Sequence, residues 1–400
     1  MNFVKKGLIT GMTAMLLVPF GGIVHAEESV APANLSLNQV TLSAKQIPNG
    51  MKRFVFDSGL HFERPEAVRG IYVTGHSAGG SKFNELVKMM NETELNAMVI
   101  DIKDDWGNVT YKSSVPGSPY ADIGKNYIKD PKKVLKILED KQIYPIARVV
   151  VFKDSLLSKK KPELSYVDGK AVWKNGRGES FVNPFLKEVW DYNVGIAIEA
   201  AKMGFQEIQF DYVRFPEGFE KRDKTLKYNM GQYKDLKIEN TQKRVKAVTD
   251  FVAYAKEKLK PYGVKVSVDI FGYSATLPEA PGIGQNFSKI SEHVDVISSM
   301  IYPSHWTSYF GIAKPDLEPY KLITEYAKLE KKKLSELKTP PVSRPWLQDF
   351  TASYLGAGNY KKYGKAEVEA QIKALKDQGI NEYLLWNAAN RYTAGVDYTP

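Results

Sequence analysis

Two aspartates interrupt runs otherwise suited to burial. Asp211 lies in Ile208-Gln209-Phe210-Asp211-Tyr212-Val213-Arg214-Phe215-Pro216, and Asp269 in Val266-Ser267-Val268-Asp269-Ile270-Phe271-Gly272-Tyr273. A buried carboxylate needs a cation, a hydrogen-bond network or a chemical task, because leaving it unpaired is costly. Arg148 and Arg214 are the candidate cations. An ion-pair network that only stiffens the fold is the structural alternative. The chemical alternative is glycoside hydrolysis. One carboxyl group protonates the leaving oxygen, and the other attacks the anomeric carbon or activates water. Asp211 and Asp269 are the candidate catalytic pair.

Other polar and aromatic residues recur at similar places. Asp101 lies at the end of one apolar run, with Lys103, Asp104, Asp105 and Trp106 just after it, and Asp349 lies at the end of another. Asp105-Trp106-Gly107-Asn108 is good turn chemistry, so at least one of these aspartates is expected to be structural. Tyr302 ends a third run, with His305 and Trp306 just after it, and Trp386 lies at the end of a fourth. Trp106 and Trp306 lie past their runs, which suits stacking on sugars. With Asp101, Lys103, Asp104, Arg148, Arg214, Tyr302, His305, Asp349 and Trp386 they form the expected substrate-binding set.

The elements that must position these residues are legible. Strand-like runs cover 70–74, 97–102, 144–152, 207–213, 265–271, 295–302, 345–350 and 382–387. Nearly continuous apolar character marks strands buried on both faces. Helical patterns alternate with them. Ser81 reads as the start of one, Asp130-Pro131 opens another, Asn183-Pro184 a third that Gly204 ends, and Gly379 ends the last. Eight alternations predict a single (β/α)8 barrel over residues 67–400, with a doubly wound sheet as runner-up. In such barrels the active site lies at the C-terminal ends of the strands, where the acids fall.

Gly75-His76-Ser77-Ala78-Gly79 fits the G-x-S-x-G nucleophile elbow. It follows the first strand rather than several, no HGGG-type segment precedes it, and His305 is the last histidine. A flexible glycine-rich loop is the reading preferred over a serine esterase or deacetylase.

Composition bounds the rest. The chain has 43% hydrophobic residues, 12% aromatics, no cysteine and a formal net charge of +10. Thiol chemistry, disulfides and cysteine-ligated zinc are excluded. The five histidines are scattered, without H-x-x-x-H spacing, so no metal or cofactor is expected; a loop calcium stays open. The basic residues are dispersed and carry no nucleic-acid-binding signature, whereas a basic surface suits an anionic cell wall. Lys5 and Lys6, the interrupted apolar run from Leu8 to Val24, and Val24-His25-Ala26 predict a signal peptide over 1–26 rather than a lasting membrane span. A linker or strap over 27–66 would follow. The expected location is secreted or cell-wall-associated, in a Gram-positive bacterium.

RGIYVTGHSAGG, AMVIDIKDDWGNVTY, EIQFDYVRFP and MIYPSHW resemble the DUF4015 family of glycoside hydrolase-like proteins over about 68–386. The resemblance implies a (β/α)8 barrel related to amylase-like glycosidases. By that analogy Asp211 matches the nucleophile, Asp269 the acid/base and Asp349 the transition-state stabiliser. The sequence departs from amylases in having Asp269 in place of glutamate and Gln209 in place of arginine. The expected substrate is a polysaccharide of a bacterial envelope, spore or extracellular matrix. A non-catalytic carbohydrate-binding barrel is the rival reading.

Overall fold

The apolar runs form strands because β-rich residues alternate between two dry environments, the barrel interior and the helix layer. The computed structural model describes residues 55–113 and 122–399. The expected signal peptide and the strap before Val55 lie outside the described residues. Among the described residues, eight strands form the barrel: β1 (Arg69–Val73), β2 (Ala97–Lys103), β3 (Tyr144–Val150), β4 (Glu207–Asp211), β5 (Lys265–Phe271), β6 (Val296–Met300), β7 (Trp346–Gln348) and β8 (Tyr383–Trp386). All neighbouring pairs are parallel. The ring closes where Arg69 of β1 pairs with Tyr383 of β8 and Trp346 of β7 pairs with Met300 of β6. The (β/α)8 barrel is therefore the fold, and the doubly wound sheet is overturned by this closure.

Helices α1 (Lys82–Asn91), α2 (Pro131–Asp140), α3 (Lys187–Met203), α4 (Asn240–Leu259), α5 (Phe287–Ser291), α6 (Pro319–Ser335) and α7 (Lys365–Asp377) connect successive strands. Their ends follow local chemistry. The Asp130 carboxylate accepts from the Lys133 amide at 3.0 Å, and Pro131 takes the first helical position, where a missing N–H costs nothing. Gly204 ends α3 with φ +119°, a left-handed conformation that favours glycine. α3 starts at Lys187 rather than at Asn183-Pro184, because the Asn183 side chain turns back to accept from the Phe185 amide at 3.0 Å.

Ile71, Val73, Met98, Ile100, Ile208 and Phe210 face the helices, whereas Tyr72, Val99, Ile146, Trp346 and Leu384 fill the barrel. Residues 55–66 run as coil, held where the Phe56 amide donates to Pro261 and the Glu63 amide to the Gln142 side chain. After β8 the chain folds back onto β1. The Asn390 side chain donates to the Tyr72 carbonyl at 2.9 Å and accepts from the Thr74 amide at 3.0 Å. Among the described residues no helix is long and apolar enough to cross a membrane.

Candidate active site

Alternation along β3 turns Arg148 into the barrel, level with Asp101 on β2 and Gln209 on β4. Its guanidinium gathers three carboxylates. Nη1 donates to Asp101 at 2.7 Å, Nη2 to Asp105 at 2.9 Å, and Nη2 and Nε to one oxygen of Asp211 at 2.6 and 3.0 Å. The same cation lies 5.4 Å from both the Tyr72 and Trp386 ring centres. Those two rings stack on each other at 4.0 Å. Planar donors in a fixed fork suit arginine to this task better than lysine.

Asp211 ends β4, and the residue after it is held in an unusual state. Tyr212 has φ +53°, a left-handed conformation uncommon for a tyrosine. The kink aims the Tyr212 amide at the second Asp211 oxygen, 2.5 Å away. Backbone strain of this kind clusters at functional sites. Asp211 is thus clamped by a cation on one oxygen and an amide on the other.

Asp269 faces the same interior from β5. Its only hydrogen bond among the described residues is from the Trp346 indole, at 2.8 Å. Burial first, and the Asp211 charge next, raise the Asp269 carboxyl well above the usual range, against the pull of Arg148. Asp101 also receives the Tyr72 hydroxyl at 2.5 Å. Burial, opposed by Arg148, pushes Asp101 up to about 7. For Asp105 burial acts upward too, but Arg148 and Lys153 together hold its carboxyl below the usual range.

The other expected residues divide. Tyr302 is buried at the mouth, 6.3 Å from the Trp386 ring and 5.2 Å from the His305 ring. Burial and the charges of Asp269 and Asp211 raise Tyr302 well above its ordinary value, so it remains a hydroxyl donor. Trp106 is 55% exposed on the β2 loop. Trp306 instead packs among Tyr309, Phe310 and Tyr326. Asp104 spends its carboxylate on the turn, accepting from the Trp106 and Asn108 amides at 2.9 Å each. Arg214 pairs with Glu217 at 3.1 Å and stacks on Phe271.

Lys103 and Asp349 face elsewhere. A β-bulge in β2 sets Lys103 opposite Val149, so simple alternation fails there. Lys103 points into the helix layer, paired with Asp154 at 2.7 Å and bonded to Asn193 at 3.0 Å. Asp349 accepts from the Thr393 hydroxyl at 2.6 Å and its amide at 3.0 Å, tying down the segment after β8. Tyr72, Asp105 and Trp346 belong to the site, although the expected set did not contain them. Period-two counting from Gly70 would have turned Tyr72 inward.

The glycine-rich stretch forms a helical turn, Gly75–Ala78, directly after β1. Ser81 makes no side-chain cap, and Thr74 caps the turn by accepting from the Ser77 amide. The Ser77 hydroxyl lies 3.1 Å from the Thr74 hydroxyl. His76 lies against Tyr127, with ring centres 3.7 Å apart. A Cβ at Gly79 would lie 1.8 Å from the Tyr127 carbonyl oxygen, so close packing explains that glycine. Among the described residues no group of three or more histidines or acids is arranged to hold a metal.

No curated protein matches the chain. Among solved structures it is similar to a hypothetical protein from Ruminiclostridium thermocellum ATCC 27405. The two share 37% identity over 50% of this chain and 96% of that one, with a TM-score of 0.43. It is also similar to the PgaB (BpsB) glycoside hydrolase domain from Bordetella bronchiseptica. That match has 14% identity over 81% of this chain and 94% of that one, with a TM-score of 0.56, a likeness of fold. A third match is the PelA glycoside hydrolase domain from Pseudomonas aeruginosa, at 12% identity over 84% and 99%, with a TM-score of 0.45. The family model DUF4015, described as "Putative glycosyl hydrolase domain", matches residues 70–392. With that match over most of its length, the chain belongs to the DUF4015 glycosyl hydrolase domain family.

Proposed function

We propose that this protein hydrolyses glycosidic bonds in a bacterial envelope, spore or extracellular polysaccharide, with Asp211 as nucleophile or base and Asp269 as general acid. One observation carries the assignment. Of these two buried carboxylates facing one barrel interior, Asp211 is ion-paired to Arg148, whereas Asp269 has no ion pair among the described residues and is driven towards its neutral form. Pairs whose environments separate their protonation divide into acid and base. The indole N–H of Trp346 is a donor only, so it occupies Oδ1 of Asp269 and leaves Oδ2 to carry the proton. That proton passes to the leaving glycosidic oxygen. Asp211 keeps lone pairs on the oxygen facing the Tyr212 amide, for attack on the anomeric carbon or for taking a proton from water.

The basic n-region and the interrupted apolar run before Ala26 support export, with cleavage after Ala26. Loss of Lys5 and Lys6 lowers the formal net charge from +10 to +8, and that basic balance supports retention on an anionic wall. Mass spectrometry of the protein recovered from culture medium and wall fractions tests both; a retained Met1 would overturn cleavage.

The test of the reaction uses the protein from Glu27 onward and its Asp211→Asn variant, incubated with cell-wall, spore and exopolysaccharide preparations. Wild type should release new reducing ends, and the variant about 10²- to 10⁴-fold fewer at unchanged fold. Equal turnover by the variant would refute the role of Asp211. Binding without turnover by wild type would favour the carbohydrate-binding barrel.

A further inference from the structure

Resting on the glycosidase reading above, we propose that the mouth is a cleft open on both sides of Asp211. Trp106 and Tyr273 are its two sugar platforms, and bonds are cut inside a glycan rather than at its end.

The two rings are exposed where exposure has no packing benefit. Trp106 is 55% exposed and Tyr273 is 38% exposed. Each is presented on a stiff support. The Trp106 carbonyl accepts from the Ser155 and Leu156 amides, and its own amide donates to Asp104. Tyr273 lies on the helical turn Gly272–Thr276, its ring stacked at 5.4 Å on Phe271, which in turn lies 4.5 Å beneath the Arg214 guanidinium. A rigid aromatic face loses little freedom when a sugar ring covers it.

Their places in the ring give the direction. Trp106 follows β2 and Tyr273 begins after β5, while β3 and β4 between them carry Arg148 and Asp211. A glycan laid from one ring to the other crosses Asp211. Beside Trp106 lies a cavity of about 170 Å³ lined by Tyr72, His76, Asp101, Asp105 and Tyr127. That is below the size of pockets for drug-sized ligands and suits a single sugar ring. On the far side, the exposed Glu217 carboxylate, held at 3.1 Å by the Arg214 that lies over Phe271, is a polar partner beside the Tyr273 platform. Subsites on both flanks of the reacting group are what interior cutting requires.

The experiment compares wild type, W106A, Y273A and Y320A. Tyr320 is an equally exposed tyrosine that bonds Asp377 on the outer helices and serves as control. Matched thermal unfolding establishes intact folds. Affinity electrophoresis through gels containing glycol chitin, chitosan, hydroxyethyl cellulose or soluble starch reads binding. On the glycan that retards wild type, viscosity is followed against reducing ends. Wild type and Y320A should be retarded equally, and W106A and Y273A should each bind about 2- to 10-fold more weakly. Viscosity should fall well ahead of reducing-end release. Wild-type retardation of either W106A or Y273A overturns the two-platform cleft, as does failure of all four glycans to retard wild type. Reducing ends released at nearly constant viscosity overturn interior cutting. Retardation that depends on both rings, without reducing ends, supports the cleft and overturns the hydrolytic reading instead.

Discussion

The two ends of the barrel each hold a buried arginine among carboxylates, and they are balanced differently. At the N-terminal end, Arg344 bonds Glu207 and Glu382 at 2.8 Å each, and Arg64 approaches Glu382 at 3.8 Å. Two cations meet two acids. At the mouth, Arg148 serves Asp101, Asp105 and Asp211, Lys153 reaches only Asp105 at 3.9 Å, and Asp269 has no ion pair among the described residues, so two cations meet four acids. The balanced end behaves as structure. The end with surplus carboxylates must hold protons, and groups that hold protons near neutrality are the ones that can exchange them with a substrate.

Substitutions sharpen this contrast. Arg344→Met strands Glu207 at the N-terminal end and leaves Glu382 only the more distant Arg64. It should cost about 3–5 kcal/mol in denaturant unfolding, and near-wild-type stability would break the comparison. Asp269→Asn at the mouth should lower turnover about 10²- to 10⁴-fold, yet leave the unfolding free energy equal to or above that of wild type. A large loss of stability would make Asp269 a structural residue.

The Asp101 carboxyl tests the surplus through pH. It moves from an ordinary 3.8 to about 7 on folding, so the native state prefers its protonated form. Its stabilising contribution is complete below about 3.8 and is lost as pH rises through about 7. Melting temperatures of wild type should therefore fall across this window relative to Asp101→Asn; parallel profiles would refute the shift. The smallest effect is expected at Asp349. Asp349→Asn weakens its bonds to Thr393, costing about 0.5–1.5 kcal/mol with turnover nearly unchanged. A collapse of turnover at intact stability would restore the amylase-like stabiliser role.

The strand alternation makes much of the mouth legible in sequence. Asp211 and Asp269 stand out because they interrupt apolar runs, and Arg148 because it is the cation on a neighbouring strand. Lys103 could not be placed the same way, because the bulge after Asp101 leaves no mark in a run of seven buried residues. Nor could the sharing of Arg148, which joins residues 47, 43 and 63 positions away. The partner of Asp349 is hidden for a related reason. Asp349 lies just past a strand end, as a site residue would, but the segment folding back after β8 claims both its oxygens.

That returning segment also bears on how the molecule is made. Tyr72, which holds Asp101, is itself held through its carbonyl by Asn390, 318 positions later. β1 also needs β8 as its pairing partner. During synthesis the first strand therefore waits for nearly the whole barrel to follow it. Such long-range closure makes refolding slow. The pocket of carboxylates at the mouth is therefore the last feature the chain can complete, assembled only once Asn390 has joined the first strand.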